Sequence, residues 1–316
     1  MTVITIPGIY SAITPNYFTE KITLSKPGDI ITPPDSSLPP YRAMDVDGFN
    51  SICGDSAKED QLLALAQAKQ INILFHYGLS TLLASASGRT AMAAYALKAS
   101  ALGITVGAIR GSSTTMIGSA KSSTKSYNNS RTNAAERFKI YNLENEFWNY
   151  LNDVGNIELP DSIGNVIFRH WNTYLEDIRT SAQEDGIQNE VYISSHAEDG
   201  IENTPEINIC VEIINNVDRV QVAHYITDEE FSTTDRGWNF IDQQIEVLAL
   251  AAQSLSKVID VVILFANTDE FMKDTFSAMT PVEIFRIFMA YYNTVDFDGK
   301  EYINIIGFDI YKYSEF

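Results

Sequence analysis

The sequence predicts an α/β protein built on a closed (β/α)8 TIM barrel with an extended N-terminal arm. Three observations predict it. Eight short, apolar, β-prone segments follow one another from residue 42 to the C-terminus. Stretches with helical period separate most of them, which is the alternation of a parallel sheet wrapped in helices. Residues 42–316 also have the length such a barrel requires. A doubly wound open sheet is the competing arrangement. It would carry a glycine-rich phosphate loop after the first strand, where this chain has Asp45-Val46-Asp47-Gly48-Phe49-Asn50-Ser51.

Taken in order, residues 1–41 form an arm and linker. Val3–Ile13 is β-prone but broken by Pro7-Gly8, and Pro33, Pro34, Pro39 and Pro40 stiffen the following stretch into an extended connection. Residues 42–316 form the barrel. Arg42–Gly48 is the first strand. Ser56 and Glu59 make a capping box that opens a helix to Gln70. Ile71–Tyr77 is strand two, and a helix over Arg89–Leu102 ends at Gly103 before strand three, Ile104–Ile109. Residues 112–133 are rich in Ser, Thr and Asn, and read as a long polar connection with a helix near its end.

Phe138–Glu146 is strand four, followed by a helix from Leu159-Pro160-Asp161 to Ser181. Strand five is Glu190–Ser195, the next helix Pro205–Asn216, and strand six Arg219–Ile226. Ile241, Ile245, Leu248, Ala252 and Leu255 lay one apolar stripe along a helix before strand seven, Val258–Phe265. Thr280, Pro281 and Glu283 supply cap, N1 proline and N3 acid for the last helix, whose core stripe is Val282, Phe285, Met289 and Tyr292. Tyr302–Asp309 is strand eight.

A net charge of −19 opposes binding to nucleic acid or to an anionic membrane surface. No apolar run reaches membrane-spanning length, so no membrane insertion is expected. The opening Met1-Thr2-Val3-Ile4-Thr5-Ile6 lacks a basic region and a long apolar core, which predicts synthesis in the cytoplasm without a signal peptide. Cys53 and Cys210 stand far apart and predict two thiols. His76, His196 and His224 come from separate strands without ligand spacing, so neither a metal nor another cofactor is expected.

In a barrel of this kind the chemistry lies at the C-terminal strand ends. Asp45, Asp47, His76, Glu144, Glu146, Ser195, Tyr225, Asn267 and Asp309 fall there. On strand four, Phe138, Ile140, Asn142, Glu144 and Glu146 are two apart and share a face if the backbone is extended. Glu144 and Glu146 then stand roughly 7 Å apart along the backbone. Mutual repulsion raises the proton affinity of such a pair, and a carboxylic acid beside a charged neighbour is what glycosidic cleavage requires.

Phe138-Lys139-Ile140-Tyr141-Asn142-Leu143-Glu144-Asn145-Glu146 resembles, without gaps, the strand-four signature F-D-G-x-D-x-D-x-E of glycoside hydrolase family 18, the chitinases and endo-β-N-acetylglucosaminidases. The match is that of a divergent or degenerate member, because Lys139 and Asn142 replace two acids and Glu144 lengthens a third. Ala108-Ile109-Arg110-Gly111 keeps one glycine of the third-strand motif, and Ala223-His224-Tyr225-Ile226 keeps the tyrosine of the sixth. Gly307-Phe308-Asp309 falls where the family often carries a platform tryptophan. The resemblance implies a (β/α)8 barrel acting on an oligosaccharide, with Glu146 as general acid. Glu144 would support the substrate's own acetamido nucleophile, and Tyr225 would hydrogen-bond the reaction centre. Asp45, Asn142, Trp238 and Asp309 are the candidate substrate-binding residues.

Plainer roles compete with these. Acids at strand ends commonly cap loops, Glu146 has Arg110 as a candidate ion-pair partner, and most of Phe147, Trp148, Trp171, Trp238, Tyr291, Tyr292 and Tyr311 are expected in core packing. Trp238 follows the acidic loop Thr227–Arg236 on the catalytic side and is the aromatic singled out for sugar stacking. A second functional reading is a barrel without catalysis, serving as a structural or glycan-binding part of a phage-tail or contractile-injection assembly. Residues 1–41 would then engage the protein assembly, which would carry the chain out of the cell within a particle. Ile6-Pro7-Gly8-Ile9-Tyr10 resembles the N-terminal Pro-Gly-Val-Tyr of contractile-tail sheath proteins.

Overall fold

The computed structural model describes residues 37–110, 114–144, 161–193, 206–238 and 242–316. The arm up to residue 36, and with it the sheath-like motif, lies outside the described residues, as do Glu146, Phe147, Trp148, Ser195 and His196.

Eight strands close into one parallel barrel in sequence order, β1 Tyr41–Val46, β2 Ile73–His76, β3 Thr105–Ile109, β4 Ile140–Leu143, β5 Gln188–Ile193, β6 Arg219–His224, β7 Ile259–Ala266 and β8 Ile303–Tyr311, with β8 pairing back onto β1. The helices are α1 Ser56–Ala68, α2 Leu79–Ala84, α3 Ala86–Ala101, α4 Thr114–Asn129, α5 Asp161–Asp185, α6 Glu206–Asn216, α7 Asp228–Ser232, α8 Asp242–Ser254, α9 Lys273–Ala278 and α10 Pro281–Tyr292. The predicted (β/α)8 architecture is therefore present. Its strands were readable because a strand buried on both faces is a nearly continuous apolar run.

The wall separates two apolar clusters. A large one fills the space between strands and helices, and a small one, with Ala43, Ile73, Phe75, Ile109, Ile140 and Val262, lies inside the barrel. Tyr41 belongs to that inner cluster and opens β1, so the barrel takes in a residue that the sequence pattern leaves in the arm. Just before it, Asn72 Nδ2 donates to the Pro40 carbonyl at 2.9 Å and Arg286 Nη2 to the Ser37 carbonyl at 3.1 Å. These bonds pin the end of the linker.

Three local expectations change. The N-cap of α1 is Asp55, whose Oδ1 accepts from the amides of Ala57 and Lys58, in place of Ser56. Glu59 accepts from the Gly54 amide and from Lys98 Nζ. Helix α3 begins at Ala86 on a Ser85 cap, three residues before Arg89. Phe138 does not share the face of Ile140. It packs on Tyr127 in the outer cluster, because the Asn128 side chain takes both its amide and its carbonyl and β4 starts only at Ile140. The Thr280–Glu283 capping box is present, with Pro281 in the first turn.

One irregularity decides the interior. Val261 pairs with Ile305 but Val262 pairs with Gly307, so Ile306 is an extra residue. Such a bulge reverses which alternate side chains face inward. Ile305 packs outside and Ile306 inside, yet Phe308 and Ile310 again lie outside, which turns Asp309 into the barrel. Glycine is required at the turning point: a Cβ on Gly307 would sit 1.7 Å from the Tyr41 carbonyl oxygen.

Candidate functional site at the C-terminal mouth

Inside the barrel, polar side chains from five strands meet. The Tyr41 hydroxyl on β1 donates to both Glu190 carboxylate oxygens on β5, at 2.8 and 3.0 Å. These strands stand opposite each other in a ring of eight, so the bond crosses the barrel axis. Asn142 Nδ2 donates to Glu190 Oε1 at 3.0 Å and to Gln221 Oε1 at 2.8 Å. Gln221 Nε2 donates to Glu190 Oε1 at 2.9 Å and to Asp309 Oδ2 at 2.8 Å. Arg219 Nε lies 3.3 Å from Glu190 Oε2. Burial raises the proton affinity of Glu190, against the opposing pull of Arg219 and of the Tyr41 and Asn142 hydrogen bonds. Asn142 is therefore committed to this deep network, one layer below the mouth.

Above it stands a cluster of acids and tyrosines. Asp309 is fully buried, and burial followed by the charge of Glu190 lifts its carboxyl to about 8. Asp45, 5% exposed, is raised well above the usual carboxylate range by burial first and then by Asp309, Glu144 and Glu190. The Tyr77 hydroxyl donates to Asp45 Oδ2 at 3.4 Å. Burial raises Tyr77 and Tyr225 well above an ordinary phenol, with Asp45 and Glu144 adding to the effect on each. Tyr77, Glu144, Tyr225, Phe271 and Tyr311 are all half-buried, and Glu144 Oε2 is itself shielded from solvent. Tyr225 packs at 6.2 Å from Tyr192, 5.3 Å from Phe271 and 6.5 Å from Tyr311, centroid to centroid.

The structure thus brings together Asp45, Glu144, Tyr225 and Asp309, and places Asn142 beneath them. It places Trp238 elsewhere: the ring is 7% exposed and packs on Phe288, Tyr291, Tyr292 and Phe297, within the helical layer. Asp47 accepts from the Ser314 amide and hydroxyl, at 3.0 and 2.6 Å, and ties down the C-terminal tail. Asn267 Oδ1 accepts from the Lys312 amide.

His76 and His224 point to the helical side. His76 bonds the Gly107 carbonyl and the Tyr95 hydroxyl, His224 the Arg236 carbonyl, and burial lowers both to about 4. Arg110 is fully buried with its guanidinium 3.5 Å over the Tyr141 ring. Among the described residues no group of three or more His, Cys, Asp or Glu is arranged to hold a metal ion, and no helix is long and apolar enough to cross a membrane.

Tyr41, Tyr77, Glu190, Arg219 and Gln221 were not among the sequence candidates. The signal for four of them was parity. Glu190 lies two residues before Tyr192, Arg219 and Gln221 lie six and four before Tyr225, and Tyr41 lies four before Asp45, so each shares a strand face with a mouth residue.

The closed ring and its helices define a (β/α)8 barrel whose C-terminal mouth is lined by acids and tyrosines. No family model matches the chain, and no curated protein sequence matches it. Among solved structures it is similar to GH5_18 from Bifidobacterium longum subsp. longum, with a TM-score of 0.57 and 11% identity over 86% of this chain and 69% of that one. A variant of that protein in complex with Manβ1-4GlcNAc gives the same values. An active-site mutant of the Rhizomucor miehei β-1,3-glucanosyltransferase, in complex with laminaritriose, has a TM-score of 0.48 and 11% identity over 85% of this chain and 86% of that one. At such identities the likeness is one of fold.

Proposed function

We propose that the barrel is directed at a glycan, held at the C-terminal mouth by Glu144, Asp45, Asp309 and Tyr225. The observation that carries this reading is the gathering of three carboxyls from β1, the end of β4 and β8 beside half-buried tyrosines, at the end where barrels of this fold place their chemistry. A fold neighbour that holds Manβ1-4GlcNAc supports an oligosaccharide as the class of ligand.

The finer reading is cleavage of a β-linked N-acetylglucosaminide by the substrate-assisted route. Glu146 would donate a proton to the leaving oxygen, Glu144 would orient the acetamido group that attacks the anomeric carbon, and Tyr225 would hydrogen-bond that group. Asn142 favours the second reading, a glycan-binding barrel without catalysis within a phage-tail or contractile-injection particle. Its amide is fixed by Glu190 and Gln221 and can take no part in proton transfer beside Glu144.

Turnover of a chromogenic chitobioside by the wild type, Glu144→Gln and Glu146→Gln separates the two. Turnover that falls by at least 100-fold in both variants, with unchanged melting temperature, supports the glycosidase. A wild type that binds chitobiose without turning it over, and that co-purifies in a large particle only when residues 1–41 are present, supports the second reading.

A further inference from the structure

We propose that Asp45 anchors a protonated amino group, so that the oligosaccharide read for the mouth carries a free amine there, a glucosamine unit in place of an N-acetylated one. Tyr41 and Ala43, four and two residues before Asp45, lie in the inner cluster, so Asp45 faces inward at the C-terminal end of β1. It is 5% exposed. Among the described residues it nevertheless accepts one hydrogen bond only, from Tyr77 to Oδ2 at 3.4 Å, and none to Oδ1. A buried carboxyl with one oxygen left over calls for a donor that the barrel itself does not supply.

The surroundings decide the charge of that donor. The register that pairs Arg42 with Phe308 sets Asp309 beside Ala43, one inward position below Asp45 on the neighbouring strand. No base among the described residues turns toward Asp45. Arg219 is paired with Glu190 one layer down, Arg110 stacks on Tyr141 on the helical side, and Lys312 Nζ lies 3.8 Å from Asp47 and 3.9 Å from Glu315. Burial first, then Asp309, Glu144 and Glu190, raise the Asp45 carboxyl against the opposing pull of the Tyr77 bond. A carboxyl so placed holds a proton until a cation takes its place and the proton leaves to water. The described acids are not set to hold a metal ion, whereas an ammonium brings both the charge and an N–H for Oδ1. A uronate, sulfate or phosphate on the sugar would meet only like charge.

The inference rests on the oligosaccharide reading, and it holds with or without cleavage because it concerns binding alone. Calorimetry of the full-length protein tests it with the glucosamine trisaccharide and with the fully N-acetylated one. The titrations are run below the pKa of the amine and in about 0.15 M salt, which screens surface attraction. The wild type should bind the amine form roughly tenfold or more tightly, the worth of one hydrogen bond between charged partners. Asp45→Asn keeps the shape and removes the charge, and should bring the two trisaccharides to equal affinity.

Where that variant fails to fold, the wild type decides. Amine preference at one site per chain supports the inference, and several weak sites lost on adding salt overturn it. An N-acetylated form bound as tightly as the amine form overturns it and leaves the glycan reading standing. So does an amine preference that survives in Asp45→Asn, which is what attraction to the acidic surface alone would give. Binding of neither form removes both readings.

Discussion

Replacing Arg219 by methionine tests the deepest part of the interior. Glu190 is fully buried and Arg219 is 6% exposed, with Nε 3.3 Å from Glu190 Oε2 and the guanidinium 5.0 Å over the Tyr41 ring. Methionine fills much of the space but leaves the carboxylate without a counter-charge. Removing one member of a buried pair costs about 3–5 kcal/mol, mostly as the desolvation of the charge left behind. For a chain of this size that is a fall in melting temperature of roughly 6–15 °C.

Urea unfolding followed by circular dichroism, with calorimetry alongside, measures the loss. Two features mark the cause as charge. Adding Glu190→Gln should recover at least half of the loss, since Gln Oε1 still accepts from Tyr41, Asn142 and Gln221. The loss should also shrink as the pH falls. The Glu190 carboxyl is already raised in the folded chain, and without Arg219 it rises further, so stability is lost as pH climbs above the unfolded carboxyl range. A cost below about 1 kcal/mol, or a double variant no more stable than the single one, would refute a buried charge pair across the barrel.

Two further outcomes are expected. Gly307→Ala should destabilise the chain by more than about 3 kcal/mol, or stop it folding, because its Cβ would meet the Tyr41 carbonyl at 1.7 Å and the bulge that turns Asp309 inward could not form. Ala at the exposed Gly103, where φ is 73° but a Cβ meets nothing within 4 Å, should cost only about 1–2 kcal/mol in the same melts, the left-handed backbone penalty without a clash.

The second concerns pH. Asp309 is raised to about 8, so the folded chain holds a proton that the unfolded chain has released, and stability falls with rising pH up to that value. His76 and His224, lowered to about 4, act oppositely below the ordinary histidine value, where only the unfolded chain takes up protons. The two trends offset each other between about 4 and 6.5, and above that the carboxyls act alone. Stability should then fall between about pH 6.5 and 8, and Asp309→Asn should flatten that slope in urea melts. A wild type whose stability is level or rising across that window would contradict a buried neutral Asp309.

Part of the candidate site was visible in the chain because it depends on short-range rules. Asp45, Glu144, Tyr225 and Asp309 stand at or just past the ends of apolar runs, and in a parallel barrel such ends share one rim. The expected pairing of Glu144 with Glu146 falls on a residue outside the described ones, and the acids that structure does set against Glu144 are Asp45 and Asp309. Trp238 looked available because it follows a polar loop. The apolar stripe of α10 takes it instead, an attraction between surfaces distant in sequence.

The sequence by itself determined the eight strands, their order and the helices between most of them; the short helices Leu79–Ala84, Asp228–Ser232 and Lys273–Ala278 were not read from it. Alternating burial, helix caps and breakers act over a few residues, so Thr280 with Glu283, or the run Val261-Val262-Ile263-Leu264-Phe265, carries its own instruction. Only the tertiary structure decided which side chains look inward and whom they meet. Closing the ring brings Tyr41 to Glu190 across 149 residues of chain, and one extra residue before Gly307 reverses the facing of everything after it. Both depend on register between strands, which is set when the barrel shuts and leaves no mark in any single segment.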